Sequence, residues 1–373
     1  MLVLERRGES STAIAIASPL IAIALTLATI AVLFALLGKN PLQALAVYFL
    51  DPLTDAYALQ EIAVKATPLV LIAVGLSFCY LANVWNIGAE GQFLIGALAG
   101  GWLAVATHGS DAGHWVLPAM LVLGALGGAL YALIPAICKV RFGASEILVS
   151  LMLVYVADLL LDYLVRGPWR DPHGYNFPTT AEFDPVALMP LMVEGSRLHY
   201  GALIAVIVVI AATIVLGRTI RGFEIRLVGA ASKAARFSGF DADKLVLSTF
   251  VISGALAGLA GVIEIAGPVG HLQPAFSPGY GFTAIIVAFL GRLHPVGILF
   301  AALFLALTFI GGEGAQITLK VPLDLTKVFQ GLLLFYVLAC DSLVLYRIRL
   351  VSRFRSSLNP AARSHTNFGI EGH

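Results

Sequence analysis

Charged residues are scarce in this sequence. Asp, Glu, Lys and Arg together make up only 12% of the 373 residues, whereas soluble domains carry about a quarter. Apolar residues make up 59%, so water could not solvate the surface of a compact body of this size. These proportions exclude a soluble globular enzyme, a disordered chain and a protein that binds nucleic acid. They predict a polytopic membrane protein.

Several motifs that carry chemistry are also absent. The three cysteines lie in apolar runs without a CxxC pair, so neither a disulfide framework nor a zinc site is expected. The sequence contains no G-x-x-x-x-G-K-[ST], G-x-S-x-G or H-E-x-x-H motif. We therefore predict no catalytic residues and no metal site. If ATP drives this protein, another subunit must bind it.

Long apolar runs, by contrast, are frequent. A bilayer core needs ~20 apolar residues in each helix that crosses it, and we predict an all-α polytopic membrane protein with about ten transmembrane helices in a single domain, residues 1–373. The predicted spans are 13–37, 62–83, 92–108, 115–138, 146–165, 200–217, 245–264, 281–291, 295–312 and 323–346. The first run is too long for a signal peptide and lacks a small-residue cleavage site, so it is predicted to remain as a helix.

Lys and Arg are unevenly distributed among the loops between these spans. The segment 218–244 has six basic and three acidic residues, and the tail 347–373 has five arginines and one Glu. The proline-rich loop 166–199 has three basic and four acidic residues. Because basic loops stay in the cytoplasm, we predict that both termini, the segment and the tail are cytoplasmic and that the loop is external.

Polar residues and glycines interrupt the apolar sequence twice, once in each half of the chain. Such interruptions persist in lipid only where protein or a water-filled cavity surrounds them. A matched pair points to a central transport pathway between two inverted halves. The first interruption contains Asn86, Gly88, Glu90, Gly91 and Gln92, and the second contains Gly291, Pro295 and Gly297. Asn86, Glu90 and Gln92 are predicted to line or brace the pathway.

Glu90 is the leading pathway candidate, because an ionisable group at membrane depth costs ~2.5–3.5 kcal/mol or more and is usually functional. The alternative is a short, solvated cytoplasmic turn at Glu90. Asp158 and Asp162 are predicted to be interfacial, with a proton relay as the alternative. Glu264 is expected at a helix end, where it is exposed or snorkels to the interface.

A short basic segment between two spans, residues 222–240, contains a helix signal. Ser232 is predicted to cap a short helix that Gly239 ends. So short a helix is unstable alone in water and must dock on something. It would occupy a groove on a cytoplasmic partner, or it would lie under the lipid headgroups, held by Lys233 and Arg236.

Several stretches of sequence carry a resemblance to a known family. They are N-I-G-A-E-G-Q-F-L-I-G-A at 86–97, S-E-I-L-V-S-L-M-L-V-Y at 145–155, L-V-R-G-P-W-R-D-P at 164–172, R-L-V-G-A-A-S-K-A-A-R-F-S-G at 226–239, L-G-R-L-H-P-V-G at 290–297 and G-G-E-G-A-Q at 311–316. Over residues 15–345 the chain resembles the permease subunits of bacterial ABC importers. The similarity is to the branch for nucleosides and simple sugars, which is related to branched-chain amino acid and ribose permeases.

The resemblance implies a subunit that forms half of an import pathway for nucleosides or related sugar-containing solutes in the bacterial cell (inner) membrane. It also implies a second permease subunit, in a heterodimer, a cytoplasmic ABC ATPase that binds ATP and Mg²⁺, and an extracytoplasmic solute-binding protein. This chain would bind no cofactor itself, and it would contact membrane lipid. The coupling segment 218–244 would contact the ATPase through Gly229, Ser232, Lys233, Ala234, Ala235, Arg236 and Gly239.

Two positions depart from the family's pattern. Ser145 and Val154 stand where asparagines are common, which leaves the solute open. A branched-chain amino acid or monosaccharide ABC permease is the nearest alternative. A secondary transporter coupled to protons through Glu90 or Asp158 is a more distant one, and a membrane-embedded enzyme lacks the residues that it would need.

Overall fold

A computed structural model describes residues 2–6, 12–174, 177–193 and 195–350. Within these ranges the chain forms fourteen α-helices: α1 (Thr12–Leu36), α2 (Pro41–Phe49), α3 (Asp51–Thr54), α4 (Ala56–Leu81), α5 (Ala89–Thr107), α6 (Val116–Phe142), α7 (Glu146–Arg166), α8 (Gly201–Arg218), α9 (Ile220–Ala230), α10 (Ser232–Phe237), α11 (Ala242–Glu264), α12 (Tyr280–Leu290), α13 (Pro295–Leu319) and α14 (Asp324–Leu345). A 3₁₀ turn (Pro185–Ala187) precedes α8, and a π-helical turn (Ile265–Val269) continues α11. Beyond Leu350, the predicted tail 347–373 lies outside the described residues.

Eight of the described helices are long and apolar enough to cross a membrane: α1, α4, α5, α6, α7, α8, α11 with its π-helical turn, and α13. The chain is thus an all-α polytopic membrane protein, as its composition predicts. Helices α12 and α14 fall where two further spans are predicted. Helix α12 has only 11 residues, so it reaches ~16 Å and covers about half of a bilayer core.

Two short helices between α1 and α4 are missed by the sequence analysis. Asn40 caps α2 by accepting hydrogen bonds from the backbone N–H groups of Leu42 and Gln43 at 3.1 and 3.4 Å. Pro41 occupies the first helical position, where its fixed φ favours a helix. With nine and four residues, α2 and α3 are too short to be recognised as spans.

Helix α4 forms the centre of the bundle. In its most apolar window 89% of the residues are buried, against 22% for α1 and for α7. A helix that is apolar all round is a buried one, and α4 packs against α8, α11, α12 and α13. Helices α1, α7 and α8 leave most of their apolar side chains on the outer surface of the bundle, where lipid can cover them.

Glycines let α5, α6 and α11 approach one another closely beside α4. A Cβ atom added to Gly258 of α11 would lie 2.1 Å from the carbonyl oxygen of Gly124 in α6. One added to Gly96 of α5 would lie 2.1 Å from the Cα of Gly258. Small residues at such contacts are typical of membrane helices, whose association depends on close van der Waals packing. These three helices therefore pack backbone against backbone.

The two ends of the described chain lie together. Strands β1 (Leu2–Arg6) and β2 (Tyr346–Leu350) pair antiparallel, with Leu2 opposite Leu350. The helices that adjoin them, α1 and α14, also pack against each other. Both ends are therefore on the same side of the bundle.

The described part of the loop between α7 and α8, residues 167–200, is held along the π-helical end of α11; we call it the outer loop after the side predicted for it. Three backbone hydrogen bonds of 2.7–3.0 Å join loop N–H groups to carbonyl groups: Thr180 to Leu272, Phe183 to Gly270 and Met189 to Ala266. Arg197 of the loop also makes a two-pronged ion pair with Glu61 of α4, with Nε 2.9 Å from Oε1. The loop is thus a fixed cover on one end of the bundle.

Candidate functional site

The first predicted interruption connects α4 to α5 and is shorter than the sequence indicates. Residues 82–88 form the connection, and Gly88 is the N-cap of α5. Gly91 lies within the first turn of α5, so it does not interrupt a helix as predicted. The interruption separates two helices because the chain leaves α4 at Leu81 and enters α5 in a new direction.

Asn86 and Gln92 form a reciprocal pair of amide hydrogen bonds across this connection. Asn86 Nδ2 donates to Gln92 Oε1 at 2.9 Å, and Gln92 Nε2 donates to Asn86 Oδ1 at 3.0 Å. Asn86 also donates to Ser253 Oγ of α11 at 3.1 Å and accepts from the N–H of Gly88. Because both side chains are buried, these partners satisfy groups that would otherwise be costly. The pair fixes the start of α5 against α11.

Glu90 lies at the N-terminus of the half-length helix α12. Its Oε2 accepts a hydrogen bond from the backbone N–H of Gly281 at 2.5 Å, and only 6% of the residue is exposed. The first N–H groups of a helix have no partner within it and carry partial positive charge, so they stabilise a carboxylate. A Cβ atom at Gly281 would lie 2.3 Å from the Glu90 nitrogen, which requires glycine there. The alternative of a solvated turn at Glu90 is wrong.

A cavity of about 350 Å³ opens beside Glu90, between α5, α7 and the segment that leads into α12. Its wall contains the carboxylates of Glu90 and Asp158 and the aromatic rings of Tyr155 and Phe282. The other lining residues are Leu94, Val154, Ala275, Ser277, Pro278 and Gly279, with no Lys or Arg among them. The cavity therefore offers hydrogen-bond acceptors and flat apolar surfaces to a small molecule.

The positions that depart from the family's pattern have different surroundings. Val154 faces the cavity, so it places an apolar side chain where the family resemblance implies an amide. Ser145 caps α7 and accepts from the N–H of Leu148 at 3.5 Å. The two aspartates of α7 also differ, because Asp158 lines the cavity whereas Asp162 pairs with Arg166 at 2.6 Å. Of these polar side chains on α7, only Asp158 contributes to the cavity.

The second predicted interruption joins α12 to α13 and is also shorter than the sequence indicates. Gly291 ends α12, Pro295 is the first residue of α13, and Gly297 lies within the first turn of α13. Arg292 and Leu293 both have positive φ, 55° and 56°, in the left-handed region that side chains other than Asn, Asp and His rarely adopt. The turn is tight, since a Cβ atom on Gly297 would lie 2.4 Å from the Gly291 oxygen.

Aromatic stacking brings the two interruptions together. Phe289, near the end of α12, stacks on Tyr80 and Trp85 with 5.2 and 5.9 Å between ring centroids. The Tyr80 hydroxyl donates to the carbonyl group of Asn86 at 3.2 Å. Helix α12 thus contacts Glu90 at its first turn, and Tyr80 and Trp85 at its last turn.

The segment 218–244 forms two short helices, α9 and α10, before α11 begins. Gly229 packs on the end of α4, where a Cβ atom would lie 2.0 Å from the Leu81 oxygen. The prediction that Ser232 caps the short helix is wrong, because Ser232 is its first helical residue and Ala231 is the N-cap. One residue separates the helices, so Ala231 both ends α9 and precedes α10. Gly239 has a φ of 84°, and one residue separates it from the end of α10.

Most side chains of α10 face outward. Lys233 and Arg236 line an open cavity of about 570 Å³ together with Lys139. Phe237 is 94% exposed, whereas Ala235 is fully buried and holds the helix to the bundle. Helix α10 thus presents two basic side chains and one exposed aromatic ring together on the outer surface of the bundle.

Two buried carboxylates are missed by the sequence analysis. Glu264, expected at an exposed helix end, is only 5% exposed and accepts from the Tyr280 hydroxyl at 3.4 Å. The reason is that α11 continues as a π-helical turn to Val269. The position of Glu264 between two isoleucines was the sequence signal that indicated burial. Glu61 is 4% exposed and pairs with Arg197. Among the described residues, no group of three or more His, Cys, Asp or Glu side chains could hold a metal ion.

A bundle of membrane-spanning helices that encloses a polar cavity at the start of a half-length helix has the architecture of a transport permease. The chain belongs to the family described as branched-chain amino acid transport system / permease component, whose family model matches residues 58–338.

Relatives in this family match the chain over most of its length. The glucose ABC transporter permease protein TsgB13 of Haloferax volcanii is 36% identical over 96% of this chain and 97% of its own length. The guanosine ABC transporter permease protein NupP of Bacillus subtilis is 30% identical over 86% and 92%. The nucleoside ABC transporter permease protein NupB of Lactococcus lactis is 28% identical over 86% and 89%. No solved structure gives a significant match.

Proposed function

We propose that this chain forms half of the translocation pathway of an ATP-driven importer for nucleosides or related sugar-containing solutes. The cavity beside Glu90 carries the proposal, because it combines two carboxylates and two aromatic rings without a cationic side chain. Sugar hydroxyl groups donate hydrogen bonds to carboxylates, and flat rings pack well on aromatic side chains. The relatives named for glucose, guanosine and nucleosides support a solute with a sugar ring.

A branched-chain amino acid fits this cavity less well. Its ammonium group could pair with Glu90 or Asp158, but no Lys or Arg on the cavity wall would pair with its carboxylate, which the same two carboxylates would repel. Val154 offers no hydrogen bond to an amino acid or to a sugar. Leucine remains the competitor that every uptake assay must include, since the family is described by branched-chain amino acid transport.

Uptake of labelled guanosine, glucose and leucine by cells that express the complete transporter tests the proposal. We expect uptake of guanosine or glucose. Glu90→Gln keeps the side-chain size and an acceptor for Gly281 but removes the charge, and it should lower uptake by about tenfold, the value of one hydrogen bond to a charged group. The amount of protein in the membrane should not change.

Asp162→Asn is the matched control, because it removes a carboxylate of α7 that lies outside the cavity. Its uptake should equal that of the wild type. Normal uptake by Glu90→Gln would mean that Glu90 only fixes the turn, and uptake of leucine alone would contradict the proposed class of solute.

The proposal includes three protein partners. Bacillus subtilis and Lactococcus lactis each have two permease proteins similar to this chain, NupP with NupQ and NupB with NupC, which supports a heterodimer with a second permease. A cytoplasmic ABC ATPase would bind ATP and Mg²⁺, and an extracytoplasmic solute-binding protein would dock on the outer loop. Both termini would be cytoplasmic, since the basic segment 218–244 favours that orientation.

Coupling to the ATPase would pass through α10 and α4. The exposed face of α10 presents Lys233, Arg236 and Phe237. Gly229, near the end of α9, packs directly on the end of α4. A displacement of α10 would therefore be transmitted to α4. The end of α4 stacks on α12 through Tyr80, and α12 begins at the cavity. Closure of the ATPase dimer would thereby tilt the helices between outward-open and inward-open states.

Purification of the tagged chain from native membranes in mild detergent, followed by an ATPase assay, tests this coupling. We expect an ATPase to co-purify, and Lys233→Glu combined with Arg236→Glu should uncouple ATP hydrolysis from uptake. Arg221→Glu reverses a charge on α9 outside the cavity that Lys233 and Arg236 line, and it should leave coupling normal.

A different result would indicate a different energy source. A preparation without any ATPase after crosslinking, with uptake that survives ATP depletion but collapses with the proton gradient, would indicate a secondary transporter. Glu90 or Asp158 would then be its proton site.

A further inference from the structure

A third cavity lies at the opposite end of α12 from Glu90. It has a volume of about 360 Å³ and is enclosed by the end of α8, the helix α9 and the turn between α12 and α13. Its lining residues are Leu81, Thr213, Leu216, Gly217, Arg218, Arg226, Arg292, Leu293, His294 and Pro295. Three arginines and a histidine thus share one cavity whose lining contains no carboxylate, and this composition favours an anionic ligand.

Two of the three arginines that line this cavity carry positive charge that no described carboxylate neutralises. Within the part of the chain that the structure describes, neither Arg218 nor Arg226 forms a salt bridge. Arg226 donates instead to the carbonyl group of Leu216, which holds its guanidinium at the cavity wall. Arg221, on the same helix α9, differs because it pairs with Glu224 at 2.9 Å and does not line the cavity.

The start of α13 adds a second attraction for an anion. His294 is the N-cap of this 25-residue helix and makes no side-chain hydrogen bond to it, and Pro295 is its first residue. Both residues line the cavity. The first N–H groups of a helix lack partners within it and carry partial positive charge. Pro295 has no N–H group, so the start of α13 adds the partial positive charge of its helix dipole beside the arginine cluster rather than a hydrogen-bond donor of its first residue.

The surroundings of the cavity are apolar and lie at the level where a membrane-spanning helix ends. Arg218 is the last residue of α8, a candidate span. Ile220 and Phe223 of α9 are 73% and 60% exposed, and Phe300 of α13 is 66% exposed. Water would not stabilise these side chains, but acyl chains would. A ligand with a negatively charged head and an apolar tail matches both parts of this surface.

We propose that this cavity binds the phosphate headgroup of an anionic phospholipid, whose acyl chains lie along α8 and α13. Arg218 and Arg226 contact the phosphate, and the start of α13 faces it. Basic pockets between transmembrane helices are known to hold such headgroups. The site is separate from the cavity at Glu90, so the inference requires only that the chain spans a membrane and does not depend on the solute.

Lipid binding to the purified full-length chain tests the inference. The delipidated protein in detergent is titrated with phosphatidylglycerol or with phosphatidylcholine, and bound lipid is counted by native mass spectrometry. We expect phosphatidylglycerol to bind more tightly. Arg218→Gln and Arg226→Gln should each weaken its binding by about fivefold, the effect of one basic residue at an anionic headgroup. Among the described residues the Arg218 side chain forms no ion pair, so its replacement should not disturb folding.

Arg221→Gln is the matched control, because it removes an arginine from the same helix without touching the cavity, and it should bind as the wild type does. Equal loss in Arg221→Gln and Arg218→Gln, or equal binding of the two lipids, would overturn the inference. Inorganic phosphate or glycerol 3-phosphate that competes at concentrations similar to those of the lipid would show that the ligand is a soluble phosphate compound. Loss of lipid binding when the ATPase is bound would assign the arginines to a protein interface.

Discussion

The outer loop 167–200 and the segment 218–244, which we call the cytoplasmic segment after its proposed side, both connect membrane-spanning helices, yet they are held in place differently. The outer loop is joined to the bundle by backbone hydrogen bonds along the π-helical turn and by the pair of Arg197 with the buried Glu61. The cytoplasmic segment carries exposed ion pairs such as Arg236 with Asp243, 3.7 Å apart. Its Phe237 has no cover at all.

The difference indicates that the outer loop stabilises the fold, whereas the cytoplasmic segment is suited to binding another subunit. The outer loop is bonded to α4 and to the π-helical turn of this chain, so it is part of the permease's own fold. The cytoplasmic segment has ion pairs mainly between exposed side chains, and it leaves Lys233, Arg236 and Phe237 on one exposed helix, which suits a surface that another subunit covers. We therefore expect substitutions in the outer loop to lower stability and substitutions on α10 to affect coupling alone.

The largest effect is expected at the ion pair between the outer loop and α4. Arg197→Met leaves the carboxylate of Glu61 buried without its partner, which costs ~3–5 kcal/mol in fully buried pairs. Because 51% of the Arg197 side chain is exposed, solvent and salt screen the pair, and we expect a loss of about 2 kcal/mol. Thermal unfolding of the purified protein in detergent measures this loss.

The double variant Glu61→Gln with Arg197→Met is the control for this prediction. It removes the charge that the single variant leaves unpaired, so it should recover part of the lost stability. If Arg197→Met unfolds at the same temperature as the wild type, the ion pair does not fasten the outer loop, and the contrast with the cytoplasmic segment loses its main support.

The fold was largely predictable because each membrane-spanning helix leaves a local apolar signal. Asn86 and Gly88 marked the interruption before α5, since glycine and polar residues are conspicuous in an apolar run, but the predicted span begins at 92 whereas the helix begins at Ala89. The pair of Glu61 with Arg197 was not predictable, because its partners lie 136 residues apart in sequence. Glu264 was misplaced for a related reason: the periodicity that predicts an α-helix does not reveal that a π-helical turn extends it.

The candidate site was predictable in part. The charge of Glu90 within an apolar run indicated a functional residue, but its contact with Gly281 joins segments 191 residues apart. No local pattern could show that α12 begins at that carboxylate. The same holds for Val154, whose position on the cavity wall depends on how α7 packs against α5.

The outer loop should also respond to acid through His199. This residue is 1% exposed, accepts a hydrogen bond from Gly201 N–H at 3.1 Å and packs on Gly267. Burial lowers the pKa of His199 from its ordinary 6.5 to about 4, because the charged imidazolium is disfavoured away from water. Its contribution to stability is therefore complete above pH 6.5 and is lost as the pH falls toward 4.

Unfolding temperatures measured across this pH range check the effect. The wild type should lose stability as the pH falls, and His199→Gln, which cannot be protonated there, should show a flatter profile. His114→Gln removes an exposed histidine and should follow the wild type. Identical profiles for the wild type and His199→Gln would show that the outer loop tolerates a charged His199.

The smallest effect on stability is expected on the cytoplasmic segment. Arg236→Gln removes an ion pair whose side chains are 68% and 59% exposed, and such pairs contribute less than about 1 kcal/mol. The unfolding temperature of the isolated chain should therefore stay close to that of the wild type, although coupling to the ATPase is weakened. If Arg236→Gln destabilises the isolated chain as much as Arg197→Met does, the cytoplasmic segment is held by its own contacts, and its exposed face need not be completed by a partner.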